Sequence, residues 1–237
     1  MAFDLEAPAT EADLYHARGD EVTHGRPYFT GDVFEDSEVK DLDGEPLLMT
    51  VMIVQHPCAM RVNGSDLVPG LLVAEVAEHQ YLKPARWTGY TRVMPLPDLW
   101  VDSDDPTSRH LAAYFNRAHI VRPAKLGTRI ASLSIRGVNL LLQRWVHHNS
   151  RVVVPTGEFL RVIGGVFEEA DLIEEWCDTR IGVDIAAATA ECVNWLREEP
   201  ADGTATRQKL LEDEQCCGPV RRQMRQRLQR LHLGGHN

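Results

Sequence analysis

No stretch of this chain approaches the roughly eighteen consecutive apolar residues that a membrane-spanning helix needs, and residues 1–30 are acidic and polar instead of basic and then apolar. Neither a membrane span nor a secretory leader is expected, and the cytoplasm is the expected compartment. The cysteines Cys58, Cys177, Cys192, Cys216 and Cys217 are odd in number, and their spacing forms neither a disulfide framework nor paired Cys-x-x-Cys zinc modules. They read as reduced thiols, and no metal or cofactor is expected. The phosphate loop GxxxxGK[ST], the dinucleotide fingerprint GxGxxG, the HExxH helix and the GxSxG elbow are all missing. That argues against nucleotide-driven chemistry and against the hydrolase mechanisms those motifs carry.

What is present is 237 residues, 43% hydrophobic and 25% charged, a soluble globular composition with enough chain for one core and an appendage. The net charge of −10 is unevenly placed. Residues 1–48 are strongly acidic, with only Arg18, Arg26 and Lys40 as cations. From Lys83 to Arg151 the only acids are Asp98, Asp102, Asp104 and Asp105, and from Glu158 to Glu199 the only cations are Arg161, Arg180 and Arg197. A basic middle between acidic flanks permits an anionic partner such as RNA, because polyanion binding depends on local arrays of Lys and Arg. Arg86, Arg92, Arg117, Arg122, Lys125 and Arg129 are the candidates for that contact. The plain alternative is that the charged faces attract one another within the fold.

Along the chain, residues 1–25 read as an acidic, weakly ordered arm. Residues 26–151 read as a small antiparallel β-barrel or bent sheet with a packed helix, and residues 152–237 as a helical C-terminal region. The short extended pieces are Tyr28–Phe34, Leu47–Gln55, Leu67–Val76, Thr91–Met94 and Leu96–Val101, separated by turn residues such as Asp43-Gly44. Pro106 after two aspartates predicts a helix to Asn116, with a further strand at His119–Arg122. Ser134 is placed to cap a helix carried by Val138, Leu141, Leu142, Trp145 and Val146. Helices follow over 156–176, where Gly164-Gly165 suggests a kink or a close crossing, over 184–197 and over 206–214. Gly218-Pro219 then breaks the chain before a basic amphipathic helix, Val220 to His232. That last helix can dock on the acidic 158–199 segment, bind nucleic acid or engage a protein partner, and a homo-oligomer remains open.

Two constellations carry candidate chemistry. The apolar strand Leu47–Gln55 ends in His56, Pro57, Cys58 and Arg61, where a histidine could activate a thiol and an arginine could hold an anion. A structural loop, or two ligands of a zinc site completed by His147, His148 or Cys216-Cys217, are the competing readings. In the second, Arg144 and His148 lie one helical turn apart and could present a cation and a proton donor to a phosphodiester. A solvated helix edge is the alternative.

Gly31-Asp32-Val33-Phe34, the apolar strand from Pro46 to Gln55, Leu71–Ala74, and the run Arg129, Ile130, Leu133, Ser134 entering a helix resemble the PemK/MazF-like toxin family over about residues 26–150. The chain is also similar to bacterial defence-associated proteins that end such a strand in cysteine. The resemblance implies an SH3-like barrel with a terminal helix, a toxin–antitoxin or phage-defence setting and, in many members, metal-independent RNA cleavage. Asp43-Gly44-Glu45-Pro46 stands where the family pattern has an Arg-rich loop, so no family catalytic residue maps onto this chain. Two functions remain: an RNA-binding or RNA-cleaving barrel, or a non-enzymatic adaptor that uses the acidic arm and the basic terminal helix.

Overall fold

Short alternating segments separated by glycine- and proline-containing turns give way to 3.6-residue periodicity at Ser134, and the computed structural model follows that division. It describes residues 4–41, 43–62, 66–100, 110–200 and 203–234. The strands are β1 (Tyr15–Arg18), β2 (Val33–Lys40), β3 (Pro46–Ile53), β4 (Arg61–Val62), β5 (Asp66–Leu67), β6 (Leu71–Glu78), β7 (Val93–Leu96), β8 (Leu111–Val121) and β9 (Thr128–Leu133). The helices are α1 (Ile135–Ser150), α2 (Thr156–Thr179), α3 (Ile185–Arg197), α4 (Arg207–Leu210) and α5 (Glu214–Gly234). The fold is α+β. Contacts divide the chain into a first unit, Met1–Val22 with Tyr28–Arg161, and a second, Thr23–Pro27 with Val162–Asn237. Among the described residues, no helix is long and apolar enough to cross a membrane.

In the first unit seven strands form one antiparallel sheet in the order β1-β9-β2-β3-β6-β8-β7, with β4 and β5 paired beside it. The sheet is bent, not closed into a barrel. Register shifts in β2 between Phe34 and Ser37, and between β6 and β8 at Ala74/Glu75, bend the strands. The bending brings β1 at one edge close to the chain leaving β7 at the other: Tyr15 Oη donates to the Pro97 carbonyl (2.9 Å) and Arg18 to the Asp98 carbonyl (2.7 Å). No ladder joins those edges. At the bulge of β2, a Cβ on Gly127 would collide with the Glu35 and Asp36 carbonyls, so only glycine lets the connection before β9 press this close. One core layer, Phe34, Val51, Ile53, Met60, Leu71, Val73 and Val121, lies against the central strands.

Two expectations are corrected here. The helix from Pro106 to Asn116 is not formed over its described part, because residues 111–116 belong to β8. Leu111, Tyr114 and Phe115 satisfy either periodicity over so short a window, and pairing with β6 on one side and β7 on the other decides for strand. Of the strand expected at Leu96–Val101 only Leu96 belongs to a strand, since β7 ends there and residues 97–100 turn and bend; residue 101, like residues 106–109 of the expected helix, lies outside the described residues. The N-terminal segment is likewise no loose arm, since it supplies β1 and buries Leu5 and Leu14.

Glu6 fastens this segment. Its carboxylate accepts from the Thr156 backbone N–H (3.0 Å) and hydroxyl (2.8 Å) and pairs with Arg136 (3.4 Å), while its own N–H donates to Gln143 (2.7 Å). Burial pushes this carboxyl up, but the hydrogen bonds from Thr156 and Gln143 and the Arg136 charge outweigh it and hold the group below its ordinary value. A depressed carboxylate contributes stability above its unfolded value and loses it as pH falls through its folded one. Amide exchange of residues 5–14 is therefore expected to accelerate on acidification below the ordinary glutamate range, before global unfolding. Equal acid sensitivity in Glu6→Gln would rule this out.

Ser134 caps α1 by accepting from the Gly137 N–H (3.1 Å), as its placement predicts. In the second unit, Leu172, Trp176, Cys192, Trp195, Leu196, Leu211, Val220, Met224 and Leu228 form one core. Gly165 makes the close crossing: a Cβ there would lie 2.9 Å from the Leu211 carbonyl. The helix α5 begins at Glu214 and runs through Pro219, so Gly218-Pro219 does not break it. Its missing N–H removes one intrahelical bond, and burial of Val220, Met224 and Leu228 keeps the helix continuous. Arg221 pairs with Glu168 (2.6 Å) and Glu175 (2.8 Å), and Arg225 with Glu175 (2.6 Å). The apolar stripe of the basic helix is thus used inside its own unit, where the acidic α2 meets it, and is not left for a protein partner.

Candidate nucleic-acid interface

The loop after β3 is built by its own side chains. The His56 Nδ1 accepts from the Cys58 backbone N–H (3.3 Å) and starts the turn Pro57–Ala59, and burial lowers the pKa of the ring. Gln55 holds the turn by donating to the Ala59 carbonyl (2.5 Å) and accepting from Leu72 (2.9 Å). Arg61 donates to the Tyr28 carbonyl (3.0 Å). Cys58 is exposed. The imidazole lone pair thus meets a backbone N–H instead of the thiol, and the guanidinium braces a carbonyl. Nothing in that arrangement activates Cys58.

Arg144 is a correction. Spacing along α1 places it one turn from His148, but it is fully buried, as is the whole span Gly137–Arg144. It donates to the carbonyls of Glu6 (2.7 Å), Trp87 (3.2 Å) and Leu140 (3.5 Å), lies over the Trp87 ring at 5.2 Å, and leaves Nε without a partner. Burial lowers its pKa to about 10, against the opposing charge of Glu6. Over Gly137–Arg144 every residue of the helix is buried, so that span has no polar face to offer a substrate.

His148 is half-buried, stacked on Trp145 at 6.2 Å and beside Phe115 at 5.6 Å. Burial lowers its pKa, the Arg151, Arg92 and His147 charges add to that, and a hydrogen bond with the Thr91 backbone opposes them. Its Nδ1 is buried without a hydrogen-bond partner. Among the described residues, no hydrogen bond, ion pair or ring contact given above joins His56, Cys58 or Arg61 to Arg144 or His148.

The six basic candidates separate by surroundings. Arg129 is buried against Asp32 (3.0 Å) and over the Tyr28 ring, so it is not a phosphate contact. Lys125 pairs with Glu38 (2.7 Å) and Arg117 with Glu75 (2.8 Å), both on the surface. Arg86, Arg92 and Arg122 are exposed.

Beside Arg86, Arg92 and Arg117 the fold assembles an aromatic surface that sequence reasoning missed. His79 follows β6, Tyr90 precedes β7 and Tyr114 lies in β8. The His79 ring sits 5.9 Å from Tyr90 and 6.0 Å from Tyr114, and the Arg117 guanidinium lies 4.6 Å over the Tyr114 ring. Gln80 Nε2 donates to Tyr90 Oη (3.2 Å), and Tyr114 Oη donates to the Glu78 carbonyl (3.0 Å), which fixes both phenols. Tyr81, 44% exposed, lies 4.7 Å from the His110 ring, and its hydroxyl donates to Glu11. The signal was present as tyrosines interleaved with Lys83, Arg86 and Arg92 across residues 79–97, a stretch without a single acid.

Among the described residues of either unit taken alone, no three His, Cys, Asp or Glu ligand atoms converge. No family model matches the chain, and no curated protein matches it.

Proposed function

We propose that the first unit binds single-stranded RNA across the surface formed by His79, Tyr81, Tyr90 and Tyr114 with Arg86, Arg92 and Arg117. The observation that carries the reading is half-exposed aromatic rings interleaved with exposed arginines on residues 79–92 and β8. Proteins that hold single strands combine ring faces for the bases with cations along the backbone, and an aromatic contact of this kind contributes about 1–3 kcal/mol per base. The PemK/MazF-like resemblance supports RNA over DNA and a toxin–antitoxin or defence setting. The reading is of binding, with no cleavage step assigned to Arg144 or His148: one is sealed in the core and the other is held between Trp145 and Phe115.

The test is binding of a fluorescent unstructured RNA by the full chain at several salt concentrations. Tyr90→Ala is expected to weaken binding by about fivefold or more, the lower end of a lost stacking contact. Arg92→Ala should weaken it and reduce the logarithmic salt dependence by about 0.7, the share of one single-strand phosphate. Equal affinity for duplex RNA would remove the stacking argument. Absence of salt-sensitive binding by the wild type would remove the reading altogether.

A further inference from the structure

β3 is paired with β2 from Pro46 to Met49 and again at Val51 and Met52, on either side of the β2 bulge, but meets β6 only at Val51, Met52 and Ile53. Beyond Val51 the ladder between β3 and β6 stops. Residues Pro46–Thr50 therefore have no ladder partner on that side among the described residues. The direction of the free groups follows from the hydrogen bonds nearby. The Ile53 N–H and carbonyl bond to Asp32 and Gly31 on the β2 side, whereas the Val54 N–H bonds to Leu72 on the β6 side. Backbone groups alternate along a strand, so Leu48 and Thr50 direct theirs to the open side. The same segment exposes Leu47 by 49% and Leu48 by 63%, one on each face of the strand.

An unpaired strand edge carrying exposed apolar side chains is a template for another strand. The devices that usually blunt an edge are weak here, because Pro46 stands only at the first position of the strand. The charge around the edge is mainly acidic: Asp41, Asp43 and Glu45 at the hairpin tip and Glu78 at the end of β6 are all exposed, Lys40 is a nearby cation, and Lys125 and Arg117 are each paired with a carboxylate, Glu38 and Glu75.

We infer that the open edge of β3 takes up an extended segment of a partner protein as an added strand, the segment carrying apolar side chains at alternate positions and Lys or Arg at its ends. Main-chain bonds to Leu48 and Thr50 supply the pairing, Leu47 and Leu48 the apolar contacts, and the acidic tip the preference for a cationic segment. The backbone groups and apolar side chains of this edge belong to β3, not to the aromatic surface, and the inference does not depend on the RNA reading.

The experiment uses the full chain and, as probe, a synthetic peptide of alternating valine and threonine with a lysine pair at each end. Amide exchange at Leu48 and Thr50 is expected to slow by about tenfold or more when the peptide is bound, as for any exposed amide entering a ladder. Thr50→Pro removes an outward N–H without touching the bonds to β2, and should abolish the effect. Glu45→Lys keeps the backbone intact and should weaken binding of this peptide but not of an otherwise identical peptide with uncharged ends. RNA affinity should be unchanged in both variants. No protection at Leu48 and Thr50 on peptide addition overturns the inference. Protection of these amides without peptide, growing with protein concentration alongside a dimer mass, also overturns it, because a second copy of this chain is then the occupant.

Discussion

Asp32→Ala is expected to destabilise the first unit by about 3–5 kcal/mol, the range for removing one partner of a buried ion pair. Its carboxylate accepts from Arg129 (3.0 Å) and from the Phe29 N–H (3.0 Å), and both side chains of the pair are almost fully buried. Removal takes the Asp32 carboxylate from the buried Arg129 guanidinium and from the Phe29 N–H. The turn Phe29–Asp32 also sets Gly31 at φ 89°, where its N–H reaches the Ile53 carbonyl, so the loss is felt at the junction of β2 and β3. Chemical denaturation of the full chain measures the effect. The double variant with Arg129→Met should regain part of the loss, because the buried charge is then removed together with the carboxylate that faced it. A change below about 1 kcal/mol in the single variant, as at an exposed pair, would refute the buried-pair account.

Arg144→Ala is expected to lower stability by about 3 kcal/mol, combining lost hydrogen bonds to buried carbonyls with a cavity beneath Trp87. RNA affinity of the folded variant should not change. That combination separates the structural role from a catalytic or phosphate-binding one. Arg144→Met should cost less than Arg144→Ala. It fills much of the same volume, and a base whose pKa burial has lowered to about 10 is destabilising in its charged form. The sign is explicit: the folded state binds the Arg144 proton more weakly than the unfolded one, so this penalty is fully present at neutral pH and is relieved only above about pH 10. Denaturation midpoints of both variants, beside RNA titrations at matched folded concentration, decide the matter. A large loss of RNA affinity in folded Arg144→Met would restore Arg144 to the interface.

Local chemistry in the sequence determined the elements whose signals lie within one turn or one strand. Ser134 and the spacing of Val138, Leu141 and Leu142 specify α1, and the β-branched run from Leu47 to Ile53 specifies β3. The acidic α2 and basic α5 are legible as charge blocks before any contact is seen, and Arg221 and Arg225 pair accordingly. Tertiary structure alone decided the rest, because it depends on pairing between distant segments. Residues 111–116 became strand only when β6 and β7 lay on either side. Arg144 shares a helical row with His148, yet the span Gly137–Arg144 is buried throughout, with Arg144 under residues distant in the chain such as Glu6 and Trp87, which turns an apparent surface cation into a core one. His79, Tyr90 and Tyr114 are anonymous in the sequence and become a surface because the bent sheet sets the end of β6 and the start of β7 beside the first half of β8. Spacing reports which residues share an element's face, and only packing reports whether that face meets water.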